Sequence, residues 1–75
     1  MTLDVATAHL AKEIREAADA LLAKAGQDTG RWWHAYELKD QTRNGWSAGA
    51  LDIALSRLID TGRFETQGDE VRLRS

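Results

Sequence analysis

The chain has 75 residues, with 10 Lys or Arg, 12 Asp or Glu, and neither Cys nor Pro. A chain this short holds a single core, which excludes a multi-layer enzyme, and the lack of Cys excludes disulfides and thiolate metal sites. At 43% hydrophobic and 29% charged residues, the composition excludes a disordered or fibrous chain. The formal net charge of −2 weighs against binding by non-specific attraction to phosphate.

Hydropathy and the N-terminal residues indicate where in the cell the protein is expected. No apolar run approaches the roughly 20 residues that span a bilayer. The start of the chain, Met1 to Asp4, lacks the basic and apolar layout of a signal peptide. The sequence therefore predicts a cytoplasmic protein without a membrane partner.

The first predicted element is an amphipathic helix over residues 3–25, a segment dominated by strong helix formers. Thr2 or Asp4 can cap its start, and Gly26 is expected to end it in a left-handed conformation. Its apolar residues form one stripe: Leu3, Ala6, Leu10, Ile14, Ala17 and Leu21.

Two shorter helices are predicted in the middle of the chain. The aromatic run at 31–34 is a candidate short strand, followed by a helix over 35–43 with Leu38 facing inward and Asn44-Gly45 ending it. Ser47 is a good N-cap for a third helix over 48–61, which Gly62 closes. The buried face of this third helix follows helical spacing: Leu51, Ala54, Leu55, Leu58 and Ile59.

The last segment, residues 63–74, changes to a period of two and predicts a β-hairpin with Gly68-Asp69 as a two-residue turn. Pairing residues whose numbers sum to 137 sets Phe64 opposite Leu73 and Thr66 opposite Val71. The same register sets Glu65 opposite Arg72, so that an ion pair lies on the face away from the apolar residues.

The three tryptophans have different expected environments. Trp33 and Trp46 are expected to pack the helices onto the sheet. Trp32 is adjacent to Trp33 and is expected to point the other way along an extended segment, where an exposed ring would mark a partner surface.

The predicted order of helix, short strand, helix, tight turn, helix and hairpin resembles a winged helix-turn-helix domain over nearly the whole chain. The resemblance is carried by Tyr36-Glu37-Leu38, by Gly45-Trp46-Ser47, and by the segment from Leu51 through Gly62 to the hairpin at 63–74. It implies an α+β fold with three helices and a C-terminal two-stranded wing, in one domain over residues 1–75. A third strand is a candidate near residues 31–34.

The resemblance also implies that the third helix enters the major groove of DNA while the wing contacts the backbone. The groove-facing positions are then Ser47, Ala48, Gly49, Asp52, Ile53 and Ser56. The polar and positive groups that would grip the backbone are Lys39, Arg43, Asn44, Arg57, Arg63, Arg72 and Arg74. For the arginines the alternative is a solvated charge or a local pair, with Arg72 joined to Glu65 and Arg57 to Asp60.

The leading prediction is double-stranded DNA binding, in transcription regulation or as a replication or recombination accessory; the alternative is a winged helix that binds proteins in a larger assembly. An enzyme is not expected and no cofactor or metal is implied, because His9 and His34 lack ligand spacing and Glu13 with Glu16 is better explained as a solvated pair.

A homodimer through the first helix is also predicted. A winged-helix core covers only part of a helix this long, so its N-terminal stripe would be left for a second copy. The predicted interface residues are Leu3, Ala6, Leu10 and Ile14.

Overall fold

A computed structural model describes residues 5–43 and 45–74, with side chains from His9 onward. In this part of the chain there are three helices: α1 (Val5–Gly26), α2 (Ala35–Thr42) and α3 (Ala48–Asp60). Three strands, β1 (Trp33–His34), β2 (Phe64–Gln67) and β3 (Glu70–Leu73), form one antiparallel sheet in the order β1-β3-β2. This α+β architecture is consistent with a winged-helix-like arrangement. Thr2, Leu3, Asp4 and Asn44 lie outside the described residues, as does the side chain of Ala6.

The end of α1 differs from the prediction. Gly26 is the last helical residue and does not have a positive φ, whereas Gly30 has a φ of 89°. The chain leaves the helix through a short series of turns, in which the N–H groups of Gln27 and Asp28 donate to the carbonyls of Lys24 and Ala25. The prediction of a left-handed Gly26 was wrong, because these turns move the reversal four residues further along.

Both ends of α3 are capped as their sequence predicts. The Ser47 hydroxyl accepts a hydrogen bond from the Ala50 N–H at 3.2 Å, which satisfies one of the free donors of the first turn. At the other end Gly62 has a φ of 81°, and the Arg63 N–H donates to the Leu58 carbonyl at 2.9 Å. Together with the bond from Gly62 N–H to the Ile59 carbonyl, this is a Schellman motif, which fixes where the hairpin begins.

The β2–β3 hairpin has the predicted register. Phe64 pairs with Leu73, Glu65 with Arg72 and Thr66 with Val71, so the prediction is confirmed. Phe64 and Val71 are buried, while Thr66 is exposed near the turn. The alternation therefore buries the apolar residues of this sheet on the side that faces the helices.

The candidate third strand exists but is short, since only Trp33 and His34 pair with β3. Trp33 is 3% exposed and belongs to the core, as predicted. The Trp32 ring is half-buried and lies under the Arg72 guanidinium, 4.5 Å from the ring centroid. Trp46 is partly buried and packs against the edge of the core.

The core lies where α1 and α3 pack on each other and on the sheet. Its centre is formed by four side chains that are almost fully buried: Leu21, Leu38, Leu51 and Phe64. All five residues predicted for the buried face of α3 are buried except Ile59, which is partly buried. With one side of α3 used in this way, its other side faces outward.

Candidate nucleic-acid interface

The residues predicted to face a DNA groove share one exposed surface of α3. Ser47 and the five residues that we call the outer face of α3 are all exposed: Ala48, Gly49, Asp52, Ile53 and Ser56. Their helical spacing places them opposite the buried residues, so one regular helix has an exposed face and a buried face. Ile53 is 39% exposed and is the large apolar side chain of this face.

An ion pair joins α2 to the outer face of α3. The Lys39 Nζ lies 2.6 Å from Asp52 Oδ1, with the Asp52 side chain 61% exposed and that of Lys39 29% exposed. A pair this accessible to water adds at most about 1 kcal/mol to stability. Its main effect is on what this surface can bind, because Lys39 and Asp52 are each engaged by the other and the pair carries no net charge.

A cleft of about 240 Å³ opens between α2 and the start of α3. It is lined by Tyr36, Lys39, Asp40, Arg43, Ala48, Leu51 and Asp52. Tyr36 is 70% exposed and stands at the start of α2, and the exposed Arg43 follows the last residue of that helix. Sequence reasoning named Lys39 and Arg43 but did not assign a role to Tyr36.

The start of α3 carries an unforeseen contact from α1. Glu13 Oε1 accepts a hydrogen bond from the Ser47 N–H at 2.7 Å, across 34 residues of sequence. A carboxylate thus lies beside the positive end of the α3 dipole. The N–H groups of Ala48 and Gly49 have no acceptor within the helix, so they remain suited to an anion, but Glu13 reduces the attraction.

The arginines predicted for the wing are not gathered at the tip of the hairpin. Arg63 and Arg74 face each other at its open end, where the Arg74 N–H donates to the Arg63 carbonyl at 2.9 Å. Arg72 donates from Nε to Glu65 Oε1 at 2.6 Å, as the register predicted. The tip itself carries Asp69 and Glu70, both exposed. The hairpin therefore presents negative charge at its turn and positive charge at its base.

The predicted pair between Arg57 and Asp60 is absent from the residues that the structure describes. Besides Lys39–Asp52 and Arg72–Glu65, the remaining ion pair there joins Arg31 to Glu37 at 2.8 Å. Exposed charges on one helix gain little by pairing, which is why spacing alone was a weak guide. Arg57 is left exposed on α3 beside Ile53.

The predicted dimer stripe is only partly available at the surface. Leu10 is 41% exposed, whereas Ile14 is 6% exposed and belongs to the core of the domain itself. The side chains of Leu3 and Ala6 lie outside the described residues. Leu10 is therefore the one member of the set that the described side chains leave for a contact with another molecule.

Within residues 5–43 and 45–74 no helix is long and apolar enough to cross a bilayer, and no three His, Asp or Glu residues come together as metal ligands. No protein-family model matches the chain, and neither a curated protein nor a solved structure matches it. Its function is therefore inferred from the chemistry and geometry of the described residues.

Proposed function

We propose that the chain is a winged-helix protein that binds double-stranded DNA with the outer face of α3 in the major groove. The observation that carries this proposal is the exposure of all six predicted groove-facing residues on one capped helix. An α-helix with its side chains is about 10–12 Å across and the major groove is about 12 Å wide. Ala48 and Gly49 at the leading end add little bulk, so the helix can approach the bases closely.

Two arginines supply the positive charge around this helix. Arg43 follows α2 at the edge of the cleft, and Arg57 lies in the last turn of α3. Both are exposed, and neither takes part in an ion pair among the described side chains. We assign them to phosphates on the two sides of the groove. The process served is transcription regulation, or a replication or recombination assembly.

The acidic hairpin tip limits the affinity. Asp69 and Glu70 would repel a phosphate backbone, so the β2–β3 hairpin contributes through Arg63 and Arg74 at its base. The two main contacts, Arg43 and Arg57, should give a slope of about −2 when the logarithm of the affinity is plotted against the logarithm of salt concentration, and contacts by Arg63 and Arg74 would make it steeper. Affinity should then drop at least about tenfold between 50 and 200 mM salt.

A duplex titration at several salt concentrations tests the proposal. We expect Arg43→Ala and Arg57→Ala to weaken binding to all duplexes and each to reduce the salt slope by about 1. The matched control is Arg15→Ala, which removes an exposed arginine from the middle of α1 and should leave the slope unchanged. Equal slopes for the parent and both α2–α3 variants would show that this surface does not hold DNA.

A second candidate, a protein-interaction module, is favoured by the charges. The Lys39–Asp52 pair neutralises the best placed lysine, and the hairpin tip is acidic. Tyr36 is 70% exposed beside the cleft, and an exposed tyrosine is a common anchor of protein interfaces. A chain that binds no duplex at low salt, and whose Tyr36→Ala variant loses a co-purifying partner, would favour this function over DNA binding.

A further inference from the structure

The outer face of α3 has an unusual inventory for a helix that reads DNA. Guanine is usually recognised by Arg or Lys and adenine by Asn or Gln, each through two hydrogen bonds. None of these residue types occurs among Ala48, Gly49, Asp52, Ile53 and Ser56. These five residues therefore lack the hydrogen-bonding modes that distinguish purines, and Arg57, on the same side of α3, is assigned to a phosphate.

Asp52, the charged residue of the outer face of α3, is already engaged in an ion pair. A free aspartate in the groove can accept a hydrogen bond from the amino group of cytosine. Asp52, however, is held by Lys39 at 2.6 Å, which turns the carboxylate toward α2. The ion pair also masks a charge that would otherwise repel the backbone. A cytosine amino group would have to bond the other oxygen of this paired carboxylate, so cytosine is a weaker target than it would be for a free aspartate.

The outer face of α3 can then offer apolar contacts and the hydroxyl of Ser56 to a base. The apolar group that bases offer in the major groove is the 5-methyl of thymine. Ile53 is 39% exposed on the second turn, and Ala48 adds a methyl group on the first. Ile53 and Arg57 are four residues apart and lie on the same side of α3, so an arginine on a phosphate would bring Ile53 against the adjoining base edge.

We propose that α3 selects its DNA site mainly by contact between Ile53 and thymine methyl groups. This inference rests on the proposed duplex binding and adds the base that is read. Ala48 is a secondary contact, and the Lys39–Asp52 pair keeps the carboxylate from opposing the approach. Sites for this chain should accordingly carry thymine where Ile53 meets the groove.

Replacing thymine by uracil tests the inference, because uracil lacks the methyl group but keeps every hydrogen-bonding group. Duplexes are first selected from a randomised pool with the intact chain at low salt. The enriched duplex is then synthesised with uracil at single thymine positions. Removal of one contacted methyl should weaken binding roughly fourfold, the value of one buried carbon group.

A variant assigns the effect to its residue. Ile53→Ser removes the apolar contact at an exposed position, and isoleucine and serine have similar helix propensities, so the fold should be kept. This variant should bind the thymine and uracil duplexes equally. Arg57→Ala is the matched control, since it should weaken both duplexes while the thymine-to-uracil ratio stays near fourfold.

The outcomes separate the two proposals. Two results would overturn the methyl contact and leave duplex binding intact: a selected duplex that binds equally with uracil at every thymine, or a selection in which duplexes bind but thymine is enriched at no position. An unchanged thymine-to-uracil ratio in Ile53→Ser overturns the assignment to Ile53. No binding to any duplex at low salt overturns both proposals.

Discussion

The contact between Glu13 and the start of α3 leads to a prediction in which stability and DNA affinity change in opposite directions. Glu13 Oε1 accepts the Ser47 N–H at 2.7 Å and ties the middle of α1 to the helix proposed to enter DNA. Glu13→Ala removes both the acceptor and the charge. Glu13→Gln keeps an oxygen that can accept the bond and removes only the charge.

The expected size follows from the geometry. A hydrogen bond with one charged partner contributes about 1.5–3 kcal/mol, and this one is accessible to water, which puts it at the lower end. We therefore expect Glu13→Ala to reduce the free energy of unfolding by about 1.5 kcal/mol, and Glu13→Gln by roughly half as much. In a domain of this size, 1.5 kcal/mol lowers the melting temperature by about 6–12 °C.

Urea unfolding followed by tryptophan fluorescence measures the loss, because Trp33 is buried in the folded domain and becomes exposed to water on unfolding. The matched control is Glu16→Ala, an exposed carboxylate one turn further along α1. Glu16→Ala should change stability by less than about 0.5 kcal/mol, as surface substitutions usually do. Equal losses in Glu13→Ala and Glu16→Ala would refute the Glu13–Ser47 bond.

Removing the charge of Glu13 should strengthen DNA binding. The carboxylate lies beside the N-terminus of α3, where a phosphate is otherwise attracted by the Ala48 and Gly49 N–H groups. Glu13→Gln should raise duplex affinity at low salt about threefold, since charge effects at a helix end are worth about 0.3–1 kcal/mol. An affinity that falls along with stability would mean that the start of α3 does not face DNA.

Substitutions in the core, at the helix ends and on α1 test the fold and the oligomeric state. Phe64→Ala should cost about 3–5 kcal/mol, which is all or most of the stability expected for so small a core, and circular dichroism at room temperature should show an unfolded chain. Trp33 is buried and its Nε1 has no hydrogen-bond partner in the described part of the chain, so Trp33→Phe should unfold at a urea concentration much closer to that of the parent than Trp33→Ala does. Gly62→Ala should lower the melting temperature because its φ is 81°, whereas Gly26→Ala, with a negative φ and open space around it, should raise or keep it. A homodimer through α1 should depend on Leu10, so Leu10→Glu should convert it to a monomer in sedimentation equilibrium; a parent that is monomeric at high micromolar concentration removes the dimer.

Most of the architecture follows from local patterns in the sequence. The hairpin register follows from the alternation of Phe64, Val71 and Leu73 with polar neighbours, because a shift by one residue would expose all three. The cap at Ser47 and the Schellman motif at Gly62 depend on residues within one helical turn, so local sequence is enough to identify them. The end of α1 was predicted to within one residue, but the left-handed conformation was assigned to Gly26 and not to Gly30, because the backbone bonds of the intervening turns leave no local signal in the sequence.

The site is less predictable, because its electrostatics depend on residues that are distant in sequence. Lys39 and Asp52 lie on separate helices, and Glu13 meets Ser47 only when α1 packs on α3. These contacts change the charge at the proposed interface without leaving any spacing signal. The exposure of Tyr36 likewise depends on which face of α2 packs against the core. The eight residues of α2 include too few apolar positions to predict that face from the sequence.

Duplex DNA is proposed to bind at the outer face of α3. Amide chemical-shift mapping by NMR during titration with a duplex tests this binding most directly, since each backbone N–H reports its own surroundings. We predict the largest shifts at Ala48, Gly49, Ile53 and Ser56 and a clear shift at Arg43, with little change at the exposed α1 residues Arg15 and Asp19. Shifts concentrated on α1, or none at low salt, would contradict DNA binding through α3.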